Sequence, residues 1–201
     1  MSASITIITP TFNRSSDILS RCIDCVEGQT YTNWHQIIIA DDKDLSGHVC
    51  EEIQAKYASP KRTFMCTGSN TKNWGNTPKQ YGINAAKSDF IVFVDDDNVI
   101  FPNYLMQFIK YFEENPSHGM AICKIIHCGP LAPYWGTPPK ILNGNPPTVQ
   151  NIDTMQICIR TPIAKECAWL DLGYCGDGHT INNFSNHCEF GYISEILAVH
   201  L

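Results

Sequence analysis

The chain has 201 residues, 43% of them hydrophobic and 17% charged, with a formal net charge of −6. That length supports one sizeable core rather than two comfortable domains, and the composition argues against disorder. No Lys/Arg-rich block is present, which argues against a nucleic-acid surface, so an anionic substrate needs local help from a metal or a few placed cations.

Met1 to Ser4 runs straight into an apolar segment, without the basic and apolar regions of a signal peptide. No stretch approaches the roughly 20 apolar residues of a spanning helix, so no membrane span is expected. The ten cysteines include one C-x-x-C, Cys22 and Cys25, on a predicted helix where a small apolar role is the simpler reading. With no secretion signal, the cysteines read as reduced thiols in a cytoplasmic compartment.

Ile5–Thr9 reads as a first strand and Pro10, Thr11, Phe12, Asn13 and Arg14 as the loop beyond it. A helix is predicted from Ser16 to Glu27, with Ser15 or Ser16 as N-cap and Gly28 as the stop. Trp34–Ala40 is a second strand ending in Asp41-Asp42, followed by a helix over Gly47–Tyr57 and a short strand over Arg62–Cys66. The polar segment Thr67–Gly75 precedes a helix over Pro78–Ala86. Phe90–Val94 has the length and β-branched content of a buried strand, and Asp95-Asp96-Asp97-Asn98 follows it without a spacer. A helix over Pro102–Glu114 and a strand over Met120–His127 continue the alternation, which is the pattern of an α/β fold with a mostly parallel sheet covered on both faces.

From Gly129 to Thr148 six prolines and three glycines exclude regular structure, and the segment reads as a substrate-facing loop in which Tyr134 and Trp135 either stack on a substrate ring or anchor the loop. After it come a strand-like Thr154–Ile159, a helix-like Pro162–Ala168, the Gly/Asp-rich Gly173–His179 and a last apolar segment, Glu189–Leu201. Ending in an apolar segment is consistent with one module of a longer protein, fused to further domains.

Three adjacent acids repel one another and cannot all stay ionised cheaply unless a cation sits among them. Carboxylates suit Mg²⁺ or Mn²⁺, which are held by one or two carboxylates plus substrate phosphates. A solvated acidic turn is the plain alternative. Placement at a strand end of an open α/β sheet, where ligands gather, favours a metal–diphosphate site. The seven histidines show no helical i, i+4 metal spacing.

The segments Ile5–Arg14, Gln29–Trp34, Ile37–Asp42, Gly82–Ala86 and Phe93–Asn98 together resemble family 2 glycosyltransferases of the GT-A (Rossmann-like) fold. The ordered match spans residues 5 to about 105. Its small size and composition are also similar to glycosyltransferase modules of large algal viruses, which implies the host cytoplasm as location. The resemblance implies a single domain with a nucleotide-sugar-binding half, 1–105, and an acceptor-binding half, 106–201. It implies that Pro10, Thr11, Phe12, Asn13 and Arg14 line the nucleotide and that Asp41 accepts a hydrogen bond from a uracil-type base. Asp95 and Asp96 then face the ribose, and Asp97 is the foremost ligand of Mn²⁺ or Mg²⁺, with Asp95 and His200 as further candidates. The expected partners are a nucleotide-sugar donor, UDP-type, and a glycan or glycoprotein acceptor.

The chain departs from the family pattern in two places. Lys79 stands near the usual Arg and meets a diphosphate as a point charge without the bidentate fork, and Lys43 replaces the usual Gly after Asp41-Asp42. An inverting transfer needs one base on the acceptor side. Asp177, between two glycines and free to be aimed into a cleft, is favoured over Asp171, with a turn acid bonding its own backbone as the alternative; His179 is a further site candidate. Two competing readings remain: a non-catalytic nucleotide-sugar-binding module, and a sugar-nucleotidyltransferase, from which the Pro-Thr-Phe-Asn-Arg loop departs.

Overall fold

The computed structural model describes residues 2–45, 51–128 and 139–201. The first half follows the expected alternation: β1 (Ile5–Thr11), α1 (Ser16–Glu27), β2 (Trp34–Ala40), α2 (Glu51–Lys56), β3 (Arg62–Cys66), α3 (Asn76–Ala85) and β4 (Phe90–Phe93). These strands lie parallel in the order β3-β2-β1-β4, and their runs are apolar because helices cover both faces. Alternation along each strand divides the core. Ile5, Ile7, Phe90 and Val92 pack against α1, while Ile8, Ile91 and Phe93 pack with Ile83 of α3. Ile38 of β2 meets Leu19 and Ile23 of α1 and Ile53 of α2.

The second half contains β5 (Val99–Ile100), α4 (Tyr104–Glu114), β6 (Met120–His127), β7 (Lys140–Leu142), β8 (Ile157–Arg160), α5 (Thr161–Cys167), α6 (Gly176–Ser185) and β9 (Phe190–His200). β8 joins the sheet antiparallel to β4 and to β6, and β9 runs parallel to β6. The sheet is therefore parallel on the β1 side and mixed beyond β4, and α4 shares the face of α1 while α5 and α6 share that of α3.

Several boundaries differ from expectation. β1 runs on through Pro10 and Thr11, which pair in register with Ile39 and Ala40. Pro102 lies before α4 instead of in its first turn. Thr154–Gln156 is a 3₁₀ turn, because Asp153 caps it: its carboxylate accepts from Met155 N at 3.1 Å, and Gln156 Oε1 accepts from Asp153 N at 2.9 Å. The proline-rich stretch does contain regular structure, since β7 pairs with β6. Residues 129–138, including Tyr134 and Trp135, and residues 46–50, which include the start of the predicted second helix, lie outside the described residues.

Strand order places the site. β1 is flanked by β2 on one side and β4 on the other, so the chain reverses direction of growth between β1 and β4. Such a switch point opens a crevice outside the carboxyl ends of the two strands. The residues after β1 and the Asp triplet after β4 meet there. Close packing holds α3 against β1: a Cβ on Gly82 would stand 2.5 Å from Ile8 Cγ2 and 2.8 Å from Ile8 Cγ1. Gly82→Ala is expected to destabilise the protein by about 1–3 kcal/mol in urea unfolding, since overpacking must push α3 away from the sheet.

Candidate active site

A cavity of about 430 Å³ opens at the switch point. Pro10, Thr11, Phe12, Arg14, Asp41, Lys79, Asp95, Asp96, Asp97 and His200 all line it, so ten of the residues expected from sequence share one space. Asn13 adopts φ 52° in the bend that turns the chain from β1 toward α1.

The Asp triplet is held from several sides. Arg14 Nε donates to Asp96 Oδ1 at 2.8 Å, and its Nη2 donates to Asp97 Oδ2. Lys79 Nζ lies 3.3 Å from Asp95 Oδ1, and Thr154 Oγ1 donates to Asp95 Oδ2 at 3.3 Å. The helix α1 braces the backbone: Arg21 Nη2 donates to Asp97 O at 2.8 Å, and Cys22 Sγ to Asp95 O at 3.7 Å. Cys22 is a buried core residue, and Cys25 Sγ donates to Cys22 O, so the C-x-x-C pair serves the helix and its packing.

Burial governs the electrostatics. It pushes the Asp96 carboxyl up to about 6 despite Arg14, and raises Asp97 as well. Burial pushes the Lys79 ammonium down, but Asp95, Asp177 and Asp153 outweigh it and hold it above its ordinary value. Asp96 Oδ2 is a buried acceptor without a hydrogen-bond partner among the described residues, and Asp95 Oδ1 has its ion pair with Lys79. Hard carboxylate oxygens beside a third acid form a donor set that fits Mg²⁺ or Mn²⁺.

Asp41 is buried after β2 and fully engaged. Thr71 Oγ1 donates to Oδ1 and Oδ2 at 2.8 and 2.9 Å, and Thr71 N and Thr67 Oγ1 each donate to Oδ1 at 3.2 Å. Asp41 thereby organises the Thr67–Gly75 loop, which supplies Asn70, Lys72 and Trp74 to the cavity wall. Trp74 is 68% exposed and meets Tyr174 edge-on at 5.2 Å. Neither aromatic carried a sequence signal, because polar turn segments do not reveal which side chain they present.

Asp171 and Asp177 separate clearly. Asp171 accepts from Asn73 Nδ2 at 3.1 Å and Asn76 Nδ2 at 3.3 Å, tying two loops together. Asp177 lies in the first turn of α6 instead of a free Gly-rich turn, and its Oδ1 accepts from Gly178 N at 2.7 Å. The flanking glycines serve close packing: a Cβ on Gly176 would lie 2.5 Å from Asn76 Oδ1, and one on Gly178 would lie 2.7 Å from Val149 Cα. Burial, then Asp153, push the Asp177 carboxyl up to about 6, with Lys79 opposing. His179 is exposed on α6.

Sequence reasoning missed His127 and Asp153. His200 Nε2 stands 3.7 Å from Asp153 Oδ2, and the His200 ring stacks on His127 at 4.2 Å. Among the described residues, the ligand atoms of His127, Asp153 and His200 lie within 4.8 Å of one another, a grouping that does not include Asp95 or Asp97. His200 also lines the cavity with the triplet and lies near enough to Asp97 to favour its charged form.

The model of glycosyl transferase family 2 matches residues 6–180. The chain belongs to that family. A poly(ribitol-phosphate) beta-glucosyltransferase of Bacillus spizizenii is 31% identical over 118 residues, covering 56% of this chain and 18% of that protein. A GalNAc(5)-diNAcBac-PP-undecaprenol beta-1,3-glucosyltransferase of Campylobacter jejuni is 27% identical over 128 residues, covering 64% and 40%. The chain therefore spans well under half of either relative. Among solved structures, S. aureus TarS 1–349 in complex with UDP-GlcNAc superposes with a TM-score of 0.76 at 15% identity, over 98% of this chain and 58% of that one. A mannosyltransferase of Pyrobaculum calidifontis in complex with GDP-Man and Mn²⁺ gives 0.70 at 13% identity, over 100% and 57%. The fold of this family 2 member is GT-A. No helix among the described residues is long and apolar enough to cross a membrane.

The raised Asp177 has a stability consequence. The folded protein binds its proton more tightly than the unfolded chain between pH 3.8 and about 6, so stability falls as pH rises through that window. Asp177→Asn is expected to be more stable than the parent at pH 8, by about 1–3 kcal/mol, and to show no gain below pH 4, as measured by denaturant unfolding at both pH values.

Proposed function

We propose that this chain transfers a sugar from a nucleotide-diphosphate donor, a uridine one, to a glycan hydroxyl with inversion, in a cation-dependent reaction. The observation that carries the reading is the convergence of the β1 loop, Asp41, Lys79 and the Asp triplet on one cavity at the switch point of a GT-A sheet. UDP-GlcNAc and GDP-Man complexes among the structural neighbours support a sugar-nucleotide donor, and the Mn²⁺ in one of them supports a metal.

In this reading Asp41 receives the base imide N–H, sharing the carboxylate with Thr71. Asp97 and Asp95 hold the divalent ion, whose contribution when bound is Lewis-acid stabilisation of the diphosphate. Lys79 and Arg14 add fixed positive charge beside the same acids. Asp177 takes the proton of the acceptor hydroxyl as its oxygen bonds to C1 of the sugar. The bond from C1 to the diphosphate oxygen breaks, and its electron pair leaves with the diphosphate. A base near 6 is ionised at neutral pH yet basic enough to be useful. Residues 1–105 then hold the donor and 106–201 the acceptor, within whatever longer protein carries the domain.

The test is nucleoside-diphosphate release from a panel of UDP-, GDP- and dTDP-sugars with Mn²⁺. Release from one donor that needs the cation and is lost in Asp97→Ala supports transfer. Nucleotide binding without release from any donor, with or without added glycosides, points instead to a binding module. Where transfer to a glycoside is seen, Asp177→Asn should lower it by about 10²–10⁴-fold, and kcat/KM should rise with pH through about 6.

A further inference from the structure

The rim of the cavity carries an aromatic pair that core packing does not explain. Trp74 and Tyr174 line it while 68% and 54% exposed, although rings of this size are ordinarily covered. Trp74 also holds a left-handed backbone at φ 61°, and Lys72 and Gly75 near it do so at φ 53° and 80°. Bulky residues rarely adopt that conformation, which persists only where the surroundings enforce it. Here they do. On one side of Trp74, Asn73 Nδ2 donates to Asp171 Oδ2 at 3.1 Å, and Asn73 Oδ1 accepts from Thr77 N at 3.2 Å. On the other side, Asn76 Nδ2 donates to Gly173 O at 3.0 Å, next to Tyr174. The chain around both aromatics is tied down while their rings stay in solvent. Their planes stand 81° apart, so the pair forms a corner with a floor and a wall.

We propose, on the transferase reading above, that Trp74 and Tyr174 form the platform on which a pyranose ring of the acceptor sits. A pyranose is apolar on a face of axial C–H bonds and polar around its rim. That face covers an aromatic ring without desolvating the hydroxyls, and its slightly positive hydrogens meet the negative π face. A corner of two perpendicular rings suits a puckered ring, which offers a face and an edge. Position selects the acceptor over the nucleobase. Tyr174 precedes Asp177, the proposed proton acceptor, by three residues, whereas the nucleobase imide is assigned to Asp41. The attacking hydroxyl must reach Asp177, so the sugar that carries it lies against the segment bearing Tyr174. Trp74 comes from the first half of the chain. The acceptor is therefore gripped by both halves, not by residues 106–201 alone.

The test follows methyl pyranosides of glucose, galactose, mannose and N-acetylglucosamine by saturation-transfer NMR, with and without UDP and Mn²⁺. The expected result is binding of at least one of them, with its axial C–H protons shifted upfield by the aromatic rings. Affinity falls about tenfold in Trp74→Ala and in Tyr174→Ala, is kept in Trp74→Phe, and leaves UDP affinity unchanged throughout. Where transfer is seen, the two alanine variants raise the acceptor KM and leave kcat near that of the parent. Both side chains are exposed, so removing either ring leaves the core intact. A loss of UDP affinity in Trp74→Ala with pyranoside affinity unchanged would overturn the proposal, since the ring would then serve the nucleobase. So would a parent that binds none of the pyranosides at millimolar concentration in either state. The platform and the transferase reading fail separately. Pyranoside binding that needs the pair, without nucleotide release from any donor, keeps the platform and removes the transferase. Transfer with an acceptor KM indifferent to both alanine variants does the reverse.

Discussion

Three adjacent carboxylates at the end of a buried strand are the constraint around which this molecule is arranged. β4 delivers Asp95, Asp96 and Asp97 into a crevice where burial disfavours the charged forms of Asp96 and Asp97. Almost every neighbouring element answers that problem. The β1 loop sends Arg14, α3 sends Lys79, and α1 fixes the intervening backbone through Arg21 and Cys22. The answer is incomplete, because Asp153 and Asp177 also act on Lys79, and a buried acceptor on Asp96 remains without a hydrogen-bond partner among the described residues. A cavity with surplus carboxylates is poorly suited to a bare diphosphate and well suited to one that arrives with a divalent ion. The substitution of Lys79 for the family's usual Arg fits the same geometry. A compact ammonium, packed 5.3 Å from the Trp169 ring centroid, serves several acids at once where a planar fork would commit to one.

The closing of the site depends on the far end of the chain. β5 follows the triplet and pairs antiparallel with the end of β9, matching Val99 to Val199. Asn98 Oδ1 accepts from Leu201 N at 3.2 Å, so the last residues are fastened beside the acids. Through this pairing a residue more than a hundred positions away, His200, becomes part of the cavity wall. On the opposite rim the Asp171 bridge to Asn73 and Asn76 locks the loop that presents Trp74 to the segment that presents Tyr174. Asp171 thus ties the two loops together, and Asp177 keeps a raised pKa at a cost in stability.

The first half was legible in the sequence because its physics is local. Buried parallel strands are continuous apolar runs, and the acids that follow them need no long-range information to be placed at strand ends. The second half resists such reading. Asp153-Thr154-Met155-Gln156 is a reciprocal cap, yet its apolar neighbours read as strand, so a 3₁₀ turn was expected to be extended. α6 hides behind Gly176 and Gly178, which lower helix propensity but are required where the helix meets Asn76 and Val149. β7 pairs within a proline-rich stretch because only a few residues at its end bond to β6. His127 and His200 come together through strand register, which no linear spacing rule can find.

The account stands on the claim that the switch-point acids receive a nucleoside diphosphate through a cation. Calorimetric titration of UDP into the chelator-stripped chain, with and without Mn²⁺, measures this most directly. At least tenfold tighter binding with Mn²⁺, with the gain lost in Asp97→Ala, is the predicted result. Equal UDP affinity in chelator and in Mn²⁺ would contradict it, since the acids would then have no part in holding the diphosphate.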